Sequence, residues 1–342
     1  MNVETKTERP LVALTGATGF LGSHIADTLL DRGFRVRASV RPTSDRRWIA
    51  GKGIEIIETP LAPTPDSATG SVAAGLDAFV DGASHLIHCA GAIKAPDEEA
   101  FRRANVTSTR MLLDAARRGG GMESFVLISS LAAIGPASPL SPVDEKSPLN
   151  PISGYGRSKR EAEQLLHDAG LDFRTAALRP PALYGPRDNA FLTLFRYARR
   201  GWTPWPGPVA GISMVDGRDA AAAAVLLMSD ERAKGPYCID DGHWYSHRDI
   251  AAALAAAWEH PVRSLRIPAA PVMALAHVLQ AVAGDRFPVL GRERMADITA
   301  PGWVCNGQKI RRELGFAAKR NLERGFRESL TFYLEAGWLD AT

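Results

Sequence analysis

Cysteine is scarce in this chain of 342 residues: there are three, and they lie far apart in the sequence. Cys89, Cys238 and Cys305 therefore give neither a disulfide framework nor the closely spaced pairs of a zinc site. We expect a protein without a metal centre, located in a reducing compartment, the cytoplasm.

Long hydrophobic runs are also lacking. The longest, residues 271–284, is shorter than the ~20 residues that cross a bilayer, and it contains His277 and Gln280. The first nine residues are polar and have no apolar stretch of the signal-peptide type. We therefore predict no transmembrane segment. The 271–284 run is interpreted as a core or lobe helix, and the alternative is a helix that makes a peripheral contact with a membrane surface.

Charge of one sign is not in excess, since 41 basic and 38 acidic residues leave a net charge of +3. Five adjacent pairs of arginine are spread along the chain, as expected of solvated helix faces. This distribution does not favour nucleic acid as a partner. With 45% apolar and 23% charged residues, the composition is typical of a globular protein with a sizeable core.

Short apolar runs alternate with amphipathic segments through the first half of the chain. They predict strands at 11–14, 34–40, 54–58, 85–89, 125–129 and 175–178, and helices at 23–31, 73–79 and 98–118. Strands and helices that alternate at this spacing form a parallel sheet covered on both faces. We therefore expect an α/β fold with a Rossmann-type, doubly wound parallel sheet.

The second half of the chain loses this alternation. A proline-rich stretch at 135–151 predicts a long loop, a strand at 236–239 is expected to return to the sheet, and the chain from about 246 is predicted helical. We expect the main domain to span 10–180, with a returning segment at about 213–241. Residues 181–212 and 242–340 would form a smaller, mostly helical substrate lobe.

Three glycines, Gly16, Gly19 and Gly22, follow the first predicted strand directly. Glycines at a strand-to-helix turn let the backbone approach a pyrophosphate, and the next helix offers free N–H groups at its N-terminus. The spacing is G-x-x-G-x-x-G and not the common G-x-G-x-x-G, so tight helix packing is the alternative explanation. The position after the first strand favours a dinucleotide site.

The residue at the end of the second strand indicates which dinucleotide is bound. An acidic residue there binds the ribose hydroxyl of NAD, whereas an arginine accommodates the extra phosphate of NADP. Here the strand ends at Arg41, with Arg46 and Arg47 close behind and no carboxylate in place. We therefore favour NADP (NADPH) over NAD, the alternative being that Arg41 is only an exposed strand end.

Tyr155 and Lys159 lie four residues apart in a predicted helix and so share one helix face. A nearby cation lowers the pKa of a tyrosine from its usual ~10, which would let the pair transfer a proton near neutral pH. The fifth strand ends in Ser129 and Ser130, whose hydroxyls could hydrogen bond a reacting carbonyl or alcohol at the carboxyl edge of the sheet.

These signals occur together and in one order, and the chain resembles the extended short-chain dehydrogenase/reductase family. The pattern is closest to the branch with 3β-hydroxysteroid dehydrogenases and dihydroflavonol reductases. The matching segments are TGATGFLG (15–22), NVT (105–107), SS (129–130) with Gly135, YGRSK (155–159), LRPPALYGP (178–186) and ELGF (313–316).

The resemblance implies roles for individual residues. Tyr155 would be the catalytic acid/base, Lys159 its partner and a ribose ligand, and Ser130 the ligand of the substrate oxygen. Ser130 is preferred to Ser129 because the family serine stands five residues before the glycine matched here by Gly135. The residues implied in catalysis are Ser130, Tyr155, Lys159 and Asn105. Those implied in cofactor binding are Gly16, Thr18, Gly19, Phe20, Leu21, Gly22, Arg41, Leu61, Ala90, Tyr155, Lys159 and Pro181.

Two departures from the family pattern narrow the prediction. Family members often carry Gly-Asp-Leu after the third strand, where this chain has Thr59-Pro60-Leu61, so only a backbone contact at Leu61 to adenine is expected. Dehydratases of the family follow the active-site hydroxyl with Asp-Glu, whereas Ser130 is followed by Leu131 and Ala132. A sugar dehydratase is therefore not favoured.

The predicted reaction is hydride transfer between nicotinamide and a ketone or secondary alcohol. The expected pocket is apolar and aromatic, which suits a hydrophobic sterol-, terpenoid- or polyketide-like substrate, unless these aromatics form the lobe core. The predicted pocket residues are Ile93, Ala132, Tyr184, Phe191 and Trp205.

Two other functions remain open at this point. A nucleotide-sugar epimerase would keep NAD bound and hold a diphosphate with cations of the lobe, for which Arg187, Arg199 and Arg200 are candidates. A non-catalytic NADP sensor is less favoured because Tyr155 and Lys159 are both retained. The resemblance also implies a homodimer formed through the helices of Asn105 and Tyr155.

Overall fold

The computed structural model describes residues 9–63, 69–168, 170–268, 297 and 300–340. The strands in these ranges are β1 (Leu11–Thr15), β2 (Arg35–Val40), β3 (Glu55–Glu58), β4 (His85–His88), β5 (Ser124–Ile128), β6 (Arg174–Arg179), β7 (Ala182–Tyr184), β8 (Trp202–Pro206), β9 (Ile212–Asp216), β10 (Gly235–Cys238), β11 (Trp244–Tyr245) and β12 (Arg263–Ile267). The α-helices are α1 (Phe20–Asp31), α2 (Thr69–Val80), α3 (Glu98–Phe101), α4 (Ser108–Gly119), α5 (Gly154–Asp168), α6 (Leu192–Ala198), α7 (Gly217–Ser229), α8 (His247–Trp258), α9 (Gln308–Leu314) and α10 (Leu322–Glu335).

Seven strands form a parallel sheet in the order β10-β6-β5-β4-β1-β2-β3. The central strands are buried along their whole length because both faces of the sheet are covered. Helices α1, α7 and α9 pack on one face, and α2, α4 and α5 pack on the other. The doubly wound α/β sheet is confirmed. Its strand order reverses between β1 and β4, where the carboxyl ends open a crevice.

The segment predicted to return to the sheet does so through β10, which pairs with β6. The lobe is less helical than predicted, because β7, β9 and β11 form a second sheet and β8 pairs with β12. β8 contains two prolines, β12 contains two arginines, and β7 and β11 have only three and two residues, so these strands lack the continuous apolar run that marks the strands of the main sheet. The lobe has its own core, built around Tyr184, Phe195, Phe326 and Tyr333.

Two predicted helices differ in detail. The first begins at Phe20 and not at residue 23, because Gly19 has an extended backbone and serves as its N-cap. The helix predicted at 98–118 is divided into α3, a π-helical segment at Arg102–Thr107, and α4. The loop predicted at 135–151 is a connection that forms isolated bridges to Trp303 and Cys305.

No helix in the described part of the chain is long and apolar enough to cross a membrane. The 271–284 run, interpreted above as a core or interfacial helix, lies outside the described residues.

Candidate active site

The glycine turn after β1 is closed too tightly for side chains. Gly16 has φ +74°, and a Cβ atom placed on it would lie 2.7 Å from the backbone nitrogen of Ala90. A Cβ atom on Gly22 would lie 2.0 Å from the carbonyl oxygen of Gly16. The backbone of Gly19 donates a hydrogen bond to the same carbonyl at 2.9 Å. These contacts require glycine for steric reasons and hold the start of α1 against the end of β1.

Helix α1 therefore begins at the carboxyl edge of the sheet with free backbone donors. Its N-cap, Gly19, provides no side-chain hydrogen bond to the first N–H groups. Such a helix end attracts phosphate through those donors and through the helix dipole. The side chain of Leu21 is buried in the core, and Phe20 packs close to Gly217, so both would contact a cofactor through the backbone.

A cavity of about 460 Å³ lies at the carboxyl ends of β1, β2 and β4. The predicted cofactor residues that line it are Gly16, Thr18, Gly19, Arg41, Leu61 and Ala90. Pro181 and the pair Tyr155 and Lys159 are not part of this lining. The donor set fits a dinucleotide, because a bare glycine turn and a helix end meet a cation at the end of β2.

Arg41 stands at the end of this cavity, at the terminus of β2. It is exposed, and it makes no ion pair with any residue in the described ranges, whereas Arg46 pairs with Glu58 and Arg47 pairs with Asp45. The backbone nitrogen of Arg41 donates to Ser44 Oγ at 3.2 Å. Of the three neighbouring arginines, Arg41 alone thus keeps its guanidinium available for an anion, beside a serine hydroxyl.

Lys159 lies beneath the cavity and is only 5% exposed. Its ammonium donates to the carbonyl oxygen of Ile128 at 2.8 Å, and it lies 3.2 Å from the Cβ position of Gly91, a residue of the cavity wall. Burial lowers the pKa of Lys159 from 10.5 to about 8, and the electrostatic effects of Cys89 and Glu163 oppose this change. The lysine is therefore a buried cation next to the cofactor cavity.

Tyr155 occupies the turn of α5 before Lys159, and its phenol hydrogen bonds to the Ser130 hydroxyl. Burial raises the pKa of Tyr155, the Ser130 hydrogen bond lowers it, and the electrostatic effects of Asp297 and Cys89 raise it again. The lowered pKa expected from Lys159 is thus not found in the free protein, where desolvation is the largest effect and Lys159 is not among the groups that shift the pKa of the phenol. The phenol is held protonated, which suits a proton donor to a ketone oxygen.

The two serines at the end of β5 point in different directions. Ser130 faces Tyr155 and also accepts a hydrogen bond from the Ala132 backbone at 3.1 Å. Ser129 is buried and donates its hydroxyl hydrogen to Glu163. The structure therefore brings Ser130, and not Ser129, to the phenol.

Asn105 does not direct its amide at a reacting group. It lies in the π-helical segment, where Nδ2 donates to the Ala92 carbonyl at 3.1 Å and to Ser158 Oγ at 2.8 Å. Its Oδ1 accepts the Ala92 N–H at 2.8 Å. These bonds join the loop after β4 to α5, so Asn105 positions the loop beside Lys159. The catalytic role that the resemblance implies for Asn105 stays a prediction.

The predicted substrate pocket is only partly formed by the predicted residues. Tyr184 is fully buried, packs against Phe326 with ring centres 5.1 Å apart, and bonds through its hydroxyl to the Asn321 carbonyl. The prediction that it lines the pocket is therefore wrong, and it belongs to the lobe core. Phe191 packs on the same core.

The other three predicted pocket residues remain outside that core or at its edge. Trp205 is partly buried and donates its indole N–H to the Val209 carbonyl at 3.2 Å. Ala132 is partly exposed next to Ser130, and Ile93 is 72% exposed on the loop after β4. Ala132 and Ile93 thus place apolar surface beside the phenol and the cavity.

Residues 12–237 match the NAD dependent epimerase/dehydratase family. This chain belongs to the NAD-dependent epimerase/dehydratase family.

Two curated relatives and one solved structure are similar to this chain over nearly its whole length. A protein named ceramide reductase, from Caulobacter vibrioides, is 30% identical over 344 residues, which cover 97% of this chain and 96% of the relative. A 4-hydroxy-2-methyl-3-oxo-4-farnesyl-3,4-dihydroquinoline-1-oxide ketoreductase from Stigmatella aurantiaca is 30% identical over 91% of this chain and 93% of its own. The crystal structure of UDP-glucose 4-epimerase with NAD from Thermus thermophilus has a TM-score of 0.75 at 21% identity, covering 95% of this chain and 99% of that one.

The family assignment makes the chain an enzyme of the short-chain dehydrogenase/reductase type that binds a nicotinamide dinucleotide.

Three residues near the site were not predicted from the sequence. Glu163 and Arg179 form a buried ion pair under the serines, and Asp297 brings a carboxylate from the lobe to the electrostatic surroundings of Tyr155. The spacing of Glu163, four residues after Lys159 on one helix face, was a usable signal. Asp297 lies 142 positions from Tyr155 and gave none.

Proposed function

We propose that this protein is an NADPH-dependent reductase of a ketone on a hydrophobic substrate, or the corresponding alcohol dehydrogenase. The observation that carries the proposal is the placement of a protonated phenol, Tyr155, against Ser130 and one helical turn from the buried cation Lys159. Lys159 connects this group to the dinucleotide cavity, because its ammonium lies 3.2 Å from the Cβ position of Gly91 in the cavity wall.

Ser130, Tyr155 and Lys159 each have a separate role in the proposed reaction. NADPH, when bound, supplies a hydride to the carbonyl carbon. Ser130 donates a hydrogen bond to the carbonyl oxygen, and Tyr155 transfers its phenolic proton to that oxygen as negative charge develops. Lys159 stabilises the phenolate left behind, because a buried cation acts strongly over short distances. In the oxidative direction the same proton returns to Tyr155.

NADP is favoured over NAD by the state of Arg41. Its guanidinium is exposed and unpaired within the described residues, whereas Arg46 and Arg47 are neutralised by carboxylates. The extra phosphate of NADP carries the charge that such a site recognises, and the Ser44 hydroxyl adds a donor.

A hydrophobic substrate is supported by the exposed apolar surface near the phenol and by the relatives. Ile93 and Ala132 are apolar, and Leu131 in the position after Ser130 is buried. The two similar reductases are named for a ceramide and for a farnesylated quinoline, both of which carry long apolar chains. We therefore favour a ketone with a long alkyl or isoprenoid part.

Two further expectations belong to this proposal. The protein would be a cytoplasmic homodimer joined through the helices that carry Asn105 and Tyr155, and its lobe would approach a membrane that holds the substrate. Light scattering that finds only monomer at micromolar concentration would contradict the dimer, and a lipid-flotation assay tests the membrane contact.

The test is a substrate panel. Long-chain 3-oxo lipids, isoprenoid ketones and sterol ketones are each incubated with enzyme and with NADPH or NADH, and the loss of absorbance at the nicotinamide band is followed. UDP-glucose is incubated with the enzyme separately, and its conversion to the 4-epimer is followed by chromatography, because epimerisation consumes no nicotinamide. The proposal expects turnover of at least one apolar ketone with NADPH. Turnover of UDP-glucose alone, with NAD that remains bound during purification, would replace the proposal with an epimerase.

The epimerase alternative rests on the family match and on the shared fold of a UDP-glucose 4-epimerase. One of its three candidate diphosphate ligands is already engaged. Arg187 pairs with Asp27 at 2.8 Å, donates to Ser23 Oγ at 3.1 Å, and lies over the Trp48 ring at 5.0 Å. Arg199 and Arg200 remain as candidates, so the sugar-diphosphate function is less well supported.

A further inference from the structure

Glu163 forms a buried ion pair directly below the catalytic residues. Its Oε1 accepts from Arg179 Nε at 3.0 Å, and its Oε2 accepts from Arg179 Nη2 at 2.6 Å. The side chains are 10% and 3% exposed. Two parallel bonds of this kind fix the orientation of both groups as well as their separation.

The same carboxylate holds the strand that carries Ser130. Oε1 of Glu163 also accepts the hydroxyl hydrogen of Ser129, the residue next to Ser130. Lys159, one helical turn before Glu163, binds the carbonyl of Ile128 at 2.8 Å. Helix α5 is therefore hydrogen bonded to Ile128 and Ser129, the two residues immediately before Ser130.

Arg179 extends this arrangement to the neighbouring strand. It is the last residue of β6, and the Ser129 N–H donates to the Leu178 carbonyl at 2.8 Å. The Glu163 carboxylate thus joins α5, β5 and β6 at one point. The Arg179 Nη1 atom is buried with no hydrogen-bond partner among the described residues, so the two bonds to Glu163 account for its fixed position.

Near Glu163 there are more buried cations than buried carboxylates. Arg179 forms an ion pair with Glu163, and Lys159 interacts with the same carboxylate electrostatically. The other titratable group that acts on Lys159 is Cys89, directly after β4, and Lys159 in turn adds to burial in lowering the pKa of His88, the last residue of β4. Cys238 and Glu145 act electrostatically on Arg179. Among these, Glu163 is the carboxylate that influences both cations.

We propose that Glu163 is a positioning residue that sets the location of Ser130 and the charge of Lys159 relative to Tyr155, with Ser129 and Arg179 as its anchors. This inference rests on the proposed function, because it assigns Ser130, Tyr155 and Lys159 to the reaction. Glu163 contacts neither the cavity nor the phenol in the described contacts, so it acts through the residues that it holds.

The test begins with Glu163→Gln, which keeps the shape and loses the charge. Wild-type turnover of an apolar ketone is measured first. The variant is expected to bind NADPH within about twofold of wild type, and to lose kcat by about 10- to 100-fold with little change in KM, because misplacement of reacting groups costs this much. The alkaline limb of its kcat profile should move to lower pH, since Lys159 loses a neighbouring negative charge.

Two matched variants separate positioning from general disruption. Glu161→Gln removes a carboxylate from the same helix, where Glu161 pairs with Arg102 at the surface, and should leave kcat and the pH profile unchanged. Ser129→Ala keeps the charge of Glu163 and removes one anchor. It should lower kcat without moving the alkaline limb, and it serves as the test if Glu163→Gln does not fold.

The results distinguish this inference from the proposed function. If wild type reduces no ketone, NMR titration of the Lys159 side chain in carbon-13-lysine protein replaces turnover, with Lys159→Met to assign the signal. A lower titration midpoint in Glu163→Gln than in wild type supports the inference. A folded Glu163→Gln with wild-type kcat and pH profile, or with an unchanged Lys159 titration, overturns it, as does a Ser129→Ala enzyme indistinguishable from wild type.

Discussion

Replacing Lys159 with methionine removes a buried cation and should change how stability depends on pH. Methionine matches the length of the lysine stem and carries no charge. The pKa of Lys159 is lowered from 10.5 to about 8 because burial removes hydration from the ammonium. At pH 7 the folded protein therefore holds a charge that the unfolded chain would hold more favourably, at a cost of about 3 kcal/mol.

At any single pH, the stabilisation expected from Lys159→Met is reduced because the substitution removes a hydrogen bond. The Ile128 carbonyl, which accepts from the lysine at 2.8 Å, is left without that donor, and this costs about 1–3 kcal/mol. The change with pH is not affected by that loss. Between pH 8 and pH 10.5 the unfolded chain binds more protons at residue 159 than the folded chain does, so the stability of wild type rises there. The difference between variant and wild type should shift in favour of wild type by about 2 kcal/mol from pH 7 to pH 9.5.

The measurement is urea unfolding of both proteins, free of cofactor, at pH 7 and pH 9.5, followed by tryptophan fluorescence. Lys94→Met is the control, because Lys94 is exposed and its replacement should give the same stability difference at both pH values. Lys159→Met should also lose ketone turnover. The reasoning is refuted if the difference in unfolding free energy between Lys159→Met and wild type is the same at both pH values, or moves in favour of the variant.

The other predictions concern the proton donor, the cofactor phosphate and the glycine turn. Tyr155→Phe should fold and bind NADPH but lose about 10²- to 10⁴-fold in turnover, and near-normal turnover would contradict its acid/base role. Arg41→Ala should weaken NADPH binding about 10- to 100-fold and leave NADH nearly unchanged, as followed by cofactor fluorescence, and equal losses would argue against a phosphate contact. Gly22→Ala should lower the melting temperature and abolish cofactor binding, because its Cβ would meet the Gly16 carbonyl, whereas Gly70→Ala has free space and should do neither.

The local parts of the site are predictable from the sequence. The glycine turn, the pairing of Tyr155 with Lys159 and the strand-end serines depend on spacing within about ten residues, and spacing within one element fixes which side chains share a face. The order of strands and helices likewise follows from apolar periodicity, since a parallel sheet needs a crossover helix between neighbours. The strands of the lobe were not predicted because β8 contains prolines, β12 contains arginines, and β7 and β11 have only three and two residues.

The aromatic residues show where sequence patterns are insufficient. Tyr184 and Phe191 have the composition of a pocket wall and equally that of a core, and only the position of α10 places Phe326 against them. Asn105 shows a similar limit. Its sequence motif indicates an active site, but its hydrogen bonds with Ala92 make it a support for the loop after β4.

The sequence by itself determined the fold, the family and the identity of the phenol and the ammonium, because each is recognised from patterns of residues that are close in the chain. The tertiary structure decided which serine meets the phenol, that the phenol stays protonated in the free protein, and that Glu163 joins α5 to β5 and β6. These outcomes depend on burial and on contacts between segments that are 16 to 34 residues or more apart. Desolvation and such contacts arise only when the chain is packed, and no local spacing encodes them.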